Sequence, residues 1–310
     1  MRTSVLRHAL LALSVVLLLG ACHGKDDPSQ PGGSSPVAAV QSSIDLMKTG
    51  DFNGLWKHAL PPEDYANLRA DWSRHERHQG PATAEDRARF NQTMQQLTAP
   101  DAENKLNAEL QPKLAAMEQQ YHDQLPVLIS VGAALAKSAV TQNRNLTPTQ
   151  KNQVNEALDV MTPWAQKTPW FDQAKARQAI GVTVTTARKL DLKSLEQLRA
   201  MDFDAVMRKY SVGYGGLKQL LVIYGLSVDD TLASAKLSEV SSNHGHAVVK
   251  IDYTLLGKPL STDSKLVQEN GRWYSEDLLN NVRKSHQQLS EPTVAQAPVP
   301  AATGNPAGSD

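Results

Sequence analysis

The chain has 310 residues, and its 32 lysines and arginines balance its 32 aspartates and glutamates. A formal net charge of zero argues against nucleic acid or an anionic lipid surface as the main partner, because both need a basic surface. The single cysteine excludes an intramolecular disulfide, so the fold must depend on packing. Hydrophobic residues make up 40% and aromatic residues 5%, which is typical of a globular protein with a core of Leu, Val and Ala.

The first 22 residues have the layout of an export signal. Arg2 and Arg7 supply positive charge, and residues 9–19 form an apolar run that is shorter than the roughly 20 residues of a membrane span. Small residues then lead to Cys22. This order predicts a signal peptide over residues 1–21 rather than a transmembrane helix. The alternative is cleavage at a neighbouring bond, which would leave Cys22 as a free thiol.

The run Leu19-Gly20-Ala21-Cys22 resembles the lipobox of bacterial lipoproteins. The resemblance implies cleavage before Cys22, lipidation of its thiol and acylation of the new N-terminus. A single acyl chain binds a membrane only marginally, so several chains on one residue would hold the protein firmly. In such lipoproteins an aspartate after the cysteine resembles an inner-membrane retention signal, whereas His23 stands here. We therefore expect an outer-membrane anchor with the body facing the periplasm.

Two segments have the composition of unfolded chain. Residues 22–36 combine Pro, Gly, Ser and charge, and we predict a flexible tether there. Residues 291–310 are rich in Pro, Ala and Gly, which indicates a disordered tail. The folded part therefore lies between residues 37 and 290.

Residues 37–230 repeat apolar positions at spacings of three and four, which predicts a long helical region. Residues 125–140 are its most apolar stretch. They are a little short and too rich in Ala, Gly and Ser for a membrane span, so we predict a buried central helix. The glycines of SVGYGGL, residues 211–217, predict a helix break or a tight joint.

The period of the pattern changes from 3.6 to 2 near Ala233. Apolar and polar residues alternate over 247–255, which predicts a half-buried strand, and Asn270-Gly271 predicts a hairpin turn. Residues 231–290 are therefore predicted to be a small antiparallel β-meander with a terminal helix, packed on the helices. The predicted fold class is α+β, mostly helical, with a long helical region before a small C-terminal antiparallel sheet.

Three motifs resemble the nuclear-transport-factor-two-like, cystatin-like fold of many small lipoproteins. They are Gly50-Asp51-Phe52 after a helix, VVKIDYTLLGK at 248–258, and ENGRWYSED at 269–277. The resemblance implies N-terminal helices packed into the concave face of a curved sheet. About 150 residues of helical sequence separate the motifs, so that region is either an insertion or the main body with a sheet appended. The fold hosts enzymes and binding modules alike, so it decides no function.

The sequence shows no catalytic motif: Gly-x-Ser-x-Gly, Ser-x-x-Lys and His-Glu-x-x-His are all missing. His75 and His78 share a helix face with arginines, which oppose a metal cation. His244 and His246 flank a turn glycine, and we interpret them as exposed. We therefore predict no catalytic residue, no metal site and no cofactor.

Aromatic side chains offer the one candidate binding surface apart from the lipidated Cys22. Trp164 and Trp170 flank a joint marked by prolines, where they could line a sugar site, an apolar site or a partner surface; anchoring of two helix ends is the alternative. Tyr253 and Trp273 on the predicted strands complete the candidate set.

The sequence supports two functional hypotheses. The first is a non-enzymatic, lipid-anchored envelope lipoprotein that binds a protein partner, as an assembly accessory or an inhibitor of immunity type. The second is a periplasmic carrier that holds a small apolar or glycan ligand in a cavity between sheet and helices.

Overall fold

The computed structural model describes residue 27 and residues 30–78, 82–144 and 146–290. The signal peptide, Cys22 and the predicted tail lie outside the described residues. The helices are α1 (Pro36–Thr49), α2 (Phe52–Ala59), α3 (Pro62–His78), α4 (Ala84–Thr98), α5 (Ala102–Tyr121), α6 (Leu125–Gln142), α7 (Pro148–Lys167), α8 (Gln173–Leu190), α9 (Leu195–Arg199), α10 (Phe203–Ile223), α11 (Val228–Ala233) and α12 (Glu276–Ser290). The strands are β1 (Lys236–Asn243), β2 (His246–Leu255), β3 (Lys258–Glu269) and β4 (Arg272–Ser275). The predicted class, α+β and mostly helical with a C-terminal antiparallel sheet, is confirmed.

Short polar side chains start many of the helices. Asp51 accepts a hydrogen bond from the Gly54 N–H at the start of α2, and Asp202 accepts one from the Ala205 N–H at the start of α10. These caps satisfy backbone donors that have no partner within the helix. Gly50 ends α1 with φ of 72°, a conformation that glycine adopts without strain.

The four strands form a meander in the order β1-β2-β3-β4, with every neighbouring pair antiparallel. Each turn has two residues with positive φ, as at Asn270 (51°) and Gly271 (75°). Such turns match the right-handed twist of the flanking strands, and the hairpin predicted at Asn270-Gly271 is confirmed.

The core at the sheet end of the molecule is built from both ends of the chain. Helix α1 packs on β1, β2 and β4, and its Val40 joins Val249, Leu266 and Trp273 in one buried cluster. A second cluster joins Leu60 to residues of β4 and α12. Helix α10 packs on α2 and α3 through a third cluster, although about 150 residues separate them in sequence.

Two predictions about the helical region are wrong. None of the residues of α6 is buried, so the most apolar stretch of the folded part is not a buried central helix. The glycines of SVGYGGL lie inside the continuous helix α10 and do not break it. Gly216 is needed there because a Cβ atom would lie 2.3 Å from Oγ1 of Thr186 on α8, so the glycine lets the two helices approach closely.

The C-terminal end of the predicted tether also differs from the structure. Gly33 forms an isolated bridge with Trp273 of β4, with both backbone hydrogen bonds at 2.9 Å. The Arg272 guanidinium donates to the backbone oxygens of Pro31 and Gly32, and the Gly32 N–H donates to the His58 oxygen at 2.7 Å. Composition could not indicate this docking, because the partners come from β4 and α2.

Candidate functional site

The predicted aromatic residues lie in three separate places. Trp164 and Trp170 contact each other edge-to-face at 5.6 Å between ring centroids, and Trp170 lies 5.1 Å from the Tyr224 ring. The Trp164 indole donates to the Tyr224 backbone oxygen at 2.9 Å, and the Trp170 indole donates to that of Ala165 at 2.7 Å. These contacts join the end of α7 to the end of α10 and use both indole donors internally.

Tyr253 and Trp273 are not close to that pair. Trp273 is only 7% exposed and belongs to the core beneath α1. Tyr253 is half-buried on β2, beside Pro259 and Glu156 around a shallow polar depression. Burial, with a smaller effect from Glu156, raises the pKa of the Tyr253 hydroxyl. The four aromatic residues therefore do not form one surface.

A cavity of about 420 Å³ is lined by residues of helices α1 and α2 on one side and of the sheet on the other. We call it the helix–sheet cavity. Its lining is mainly apolar and includes Val40, Ile44, Trp56, Ile251, Leu266 and Trp273. Its polar side chains are His58, Ser43, Ser264, Ser275 and the hydroxyl-bearing Tyr274. The ring nitrogens of His58 already face the backbone oxygens of Gln30 and Ala39 at 3.1 and 3.2 Å.

A larger groove of about 720 Å³ follows α10 on the other side of α2. We call it the α10 groove. Helices α2, α3, α8, α9 and α10 contribute to it, and its lining includes Phe52, Trp72, Leu198, Tyr210, Tyr214 and Leu217. Tyr210 is 57% exposed and Leu217 is 51% exposed, so the groove presents large apolar groups to solvent.

Aromatic packing fixes the floor of the α10 groove. The rings of Phe52 and Tyr214 meet edge-to-face at 5.3 Å, and those of Trp72 and Phe203 do so at 5.9 Å. The Lys218 ammonium lies 5.2 Å from the Tyr214 ring centroid. Burial raises the pKa of the Tyr214 hydroxyl, which finds no hydrogen-bond partner among the described residues. The floor is therefore preformed and apolar.

The charged residues that line the α10 groove are cations, Arg199 and Lys209, and no carboxylate lines it within the described residues. Neighbouring acids feel these charges. The pKa of Asp86 is lowered mainly by hydrogen bonds from Thr83 and more weakly by Arg199. The pKa of Asp191 is lowered mainly by Lys193 and more weakly by Lys209. The charged side chains that line the groove itself are therefore cationic, and their acidic neighbours lie outside the lining.

Sequence reasoning did not find the α10 groove. The one local signal was the spacing of Tyr210, Tyr214 and Leu217, which places them on one face of a helix. That spacing alone could equally mark a core-facing stripe, and the opposite wall comes from α9 and from the end of α8.

The residues that the structure describes contain no group of three or more His, Cys, Asp and Glu side chains that could hold a metal ion. His246 lies 3.8 Å from Glu276, and both His244 and His246 are exposed. His75 and His78 lie at the end of α3, where the structure does not describe their side chains.

Comparisons of the chain with models of protein families, with curated protein sequences and with solved structures found no match.

Proposed function

We propose that this protein is a lipid-anchored, periplasm-facing envelope lipoprotein of non-enzymatic type that binds a protein partner through the α10 groove. The observation that carries the proposal is the groove itself: an open apolar surface with aromatic side chains and a cationic rim. Contiguous exposed apolar surface rimmed by polar residues is typical of interaction sites on folded proteins. The lipobox-like run that ends at Cys22 supports the anchor.

The residue types in the α10 groove favour a protein over a small molecule. Trp, Tyr and Arg carry much of the binding free energy at protein interfaces, and Trp72, Tyr210 and Arg199 all line the groove. Tyr210, Tyr214 and Leu217 present a stripe two turns long, which suits the apolar face of a partner helix.

The charges at the rim specify the kind of partner segment. Arg199 and Lys209 both line the groove. Complementary charge speeds encounter and selects among partners, so we expect the bound segment to carry acidic residues beside its apolar anchors.

Site-specific photo-crosslinking in the native envelope tests this proposal. A photo-reactive residue replaces Leu217 in the groove, and the matched control replaces Val240, an apolar β1 residue that is 61% exposed. We expect one discrete adduct from position 217, lost with Tyr210→Lys, and no such adduct from position 240. Equal adducts from both positions, or none from 217, would refute the groove as the binding site.

A Cys22→Ser variant tests the anchor separately. We expect mass spectrometry of the mature wild-type protein to show the added mass of lipid on an N-terminal Cys22, and Cys22→Ser to lack this mass and to keep residues 1–21. A mature wild-type protein without added lipid mass at Cys22 would refute the anchor.

The second candidate function is a carrier for a small apolar ligand, which the helix–sheet cavity favours. Its volume of about 420 Å³ lies within the usual range for ligand pockets, and its lining is mostly apolar. Native mass spectrometry of the protein purified from its own envelope tests this function. A bound small molecule would support the carrier, and a protein mass equal to that of the lipidated chain alone would count against it.

A further inference from the structure

Helix α6 is apolar on both sides but is covered on only one. It has a mean hydropathy of 1.3 over 18 residues, and none of these residues is buried. It is the one helix among the described residues that is long and apolar enough to cross a membrane. A helix that is hydrophobic all round normally lies in a protein core or in a membrane.

The inner side of α6 packs on α7. Leu125, Ile129 and Ala133 are half-buried on this side. Polar contacts also join α6 to α7. The Lys137 ammonium forms an ion pair with Asp159 of α7, and the side-chain amide of Gln166 of α7 donates a hydrogen bond to the Ser130 hydroxyl at 2.7 Å. This side of α6 is therefore covered by α7.

The opposite side, which we call the α6 outer face, comprises Val127, Leu128, Val131, Ala134 and Leu135. All five residues are exposed, and Leu135 is 66% exposed. At 100° per residue they fall within one broad stripe, about 180° from the side that contacts α7. The stripe carries no charged residue, and the exposed Ser138 and Gln142 that continue it toward the C-terminal end bond to each other at 2.9 Å.

The composition of the α6 outer face favours lipid over protein. Protein interfaces are enriched in Tyr, Trp, Phe, Met and Arg, and this stripe contains none of them. The α10 groove, by contrast, combines Trp72, Tyr210 and Arg199. Aliphatic and small residues without hydrogen-bonding groups suit the acyl region of a leaflet, where polar groups have no partner.

Contacts within the fold connect the C-terminal end of α6 to the docked segment at Gly33. Lys151 at the start of α7 donates to the Thr141 oxygen at the end of α6, at 2.7 Å. Its neighbour Gln150 donates to Asp277, which follows β4. Strand β4 in turn holds Gly33 through Trp273. A short series of direct contacts therefore links the end of α6 to the docked N-terminal segment.

The reach of the chain is sufficient. Eight peptide steps separate Cys22 from Gln30, which can span roughly 26–29 Å when extended. Helix α6 is about 27 Å long at 1.5 Å per residue, which is comparable. The segment between Cys22 and Gln30 can thus reach as far from Gln30 as α6 is long.

We infer that the α6 outer face lies in the lipid leaflet as a second membrane contact beside the lipid on Cys22. The inference rests on the anchor in the proposed function. Helix α6 lies along the interface and does not span the bilayer, because its inner side is held to polar residues of α7 that would enter the hydrocarbon with it.

The single cysteine makes a direct test possible. In the lipidated full-length protein Cys22 is blocked, so Val131→Cys supplies the one free thiol for an environment-sensitive fluorophore. Val240→Cys is the matched control, since Val131 is 52% exposed and Val240 is 61% exposed. Both proteins are reconstituted into vesicles of phosphatidylethanolamine and phosphatidylglycerol, with and without brominated acyl chains.

We expect the fluorophore at position 131 to show blue-shifted emission and quenching by brominated lipid, with neither effect at position 240. Identical behaviour at the two positions would overturn the inference. A blue shift at 131 that brominated lipid does not quench, and that grows with protein concentration, would show self-association and would overturn it as well.

Two further measurements separate this inference from the proposed function. Flotation with the vesicles reports the lipid anchor, and a protein that does not float refutes the anchor and this inference together. Crosslinking from Leu217 reports the α10 groove, so a missing partner adduct with normal quenching at position 131 leaves the membrane contact standing and refutes only the groove.

Discussion

The sheet end of the molecule and the hairpin formed by α6 and α7 both contain many aliphatic side chains. These side chains are buried at the centre of the sheet and exposed on α6. Leu266 of β3 is 2% exposed, whereas Leu135 of α6 is 66% exposed. The sheet is covered by α1, which ends 187 residues before β1 begins. The hairpin packs α6 on its immediate neighbour α7, and neither helix has a buried residue.

The comparison shows that apolar composition indicates how much free energy a segment gains when it is buried. It does not indicate which element buries the segment. A helix pair that is adjacent in sequence can cover only one side of each helix. The centre of the sheet is buried because α1 and the segment around Leu60 converge with β2, β3, β4 and α12 there. Matched substitutions at the sheet end and in the hairpin should therefore have different effects on stability.

The largest contrast should come from truncating the two leucines. Leu266→Ala removes a buried side chain, and we expect it to lower the free energy of unfolding by about 2–5 kcal/mol. Leu135→Ala at an exposed helix position should change it by less than about 0.5 kcal/mol in solution. Urea unfolding followed by circular dichroism measures both, and equal losses would show that the hairpin is buried in solution.

Two glycine substitutions give the next contrast. A Cβ atom at Gly33 would lie 2.2 Å from the Ala39 backbone nitrogen, so Gly33→Ala should cost about 1–3 kcal/mol and release the docked segment. A Cβ atom at Gly132 of α6 would meet nothing within 4 Å, so Gly132→Ala should stabilise by up to about 1 kcal/mol through helix propensity. Hydrogen exchange at Gly32 and Gly33, with thermal unfolding, reports both effects. A neutral Gly33→Ala would mean that the segment is not held against β4.

Ion pairs supply a third contrast. The Arg283 guanidinium of α12 donates to Asp64 at 2.8 and 3.0 Å and to Glu269 at 2.7 and 2.8 Å, and these paired carboxylates raise its pKa. Arg283→Ala leaves the buried Asp64 without this partner, and we expect a loss of about 1–2 kcal/mol, since Arg283 itself is 40% exposed.

The exposed Lys137–Asp159 pair of the hairpin is the matched control. Lys137→Ala should cost less than about 1 kcal/mol, and 1 M NaCl should weaken the effect of Lys137→Ala more than that of Arg283→Ala. Arg283→Lys should recover only part of the loss, because an ammonium cannot bind two carboxylates in the forked geometry. Full recovery by lysine would show that charge alone matters at this position.

The smallest effect concerns alkaline pH. Burial raises the pKa of the Tyr274 hydroxyl above its ordinary 10.0, with smaller effects from Arg272 and from acidic neighbours. The unfolded chain therefore loses this proton at lower pH than the folded protein does. Stability falls as pH rises from about 10 through the folded pKa, because the folded state binds more protons in that window.

Tyr274→Phe keeps the ring and removes this titration. We expect a shallower loss of unfolding free energy above pH 10 and nearly unchanged stability at pH 7. Part of the slope should remain, since burial also raises the pKa of Tyr65, Tyr214, Tyr224 and Tyr253. An unchanged slope in the variant would contradict burial of Tyr274.

Local signals predicted the parts of the fold that local chemistry decides. The alternation over 247–255 and the dipeptide Asn270-Gly271 specify β2 and the last hairpin within a few residues of sequence. Gly50 specifies the end of α1 in the same way.

Features that depend on packing between distant segments could not be predicted from the sequence pattern. The exposure of α6 depends on the absence of a covering element within the described residues, and Gly216 serves an approach to Thr186 rather than a break. The α10 groove takes its walls from five helices, so no single stretch of sequence could reveal it. Of the aromatic residues chosen from sequence, Trp164 and Trp170 alone contact each other.

The bridge between Gly33 and Trp273 has a further consequence for solubility at high local concentration. Strand β4 is an edge of the sheet, and an open edge is a template for pairing with a strand of another chain. Gly33 forms hydrogen bonds with the outward-facing N–H and C=O groups of Trp273. The Arg272 side chain donates hydrogen bonds to the backbone oxygens of Pro31 and Gly32 at the same edge. At the opposite edge, the register of β1 shifts between Glu239 and Ser241 in a bulge, which discourages such pairing. Proteins crowded on one leaflet by their anchors would thus meet edge to edge without forming a shared sheet.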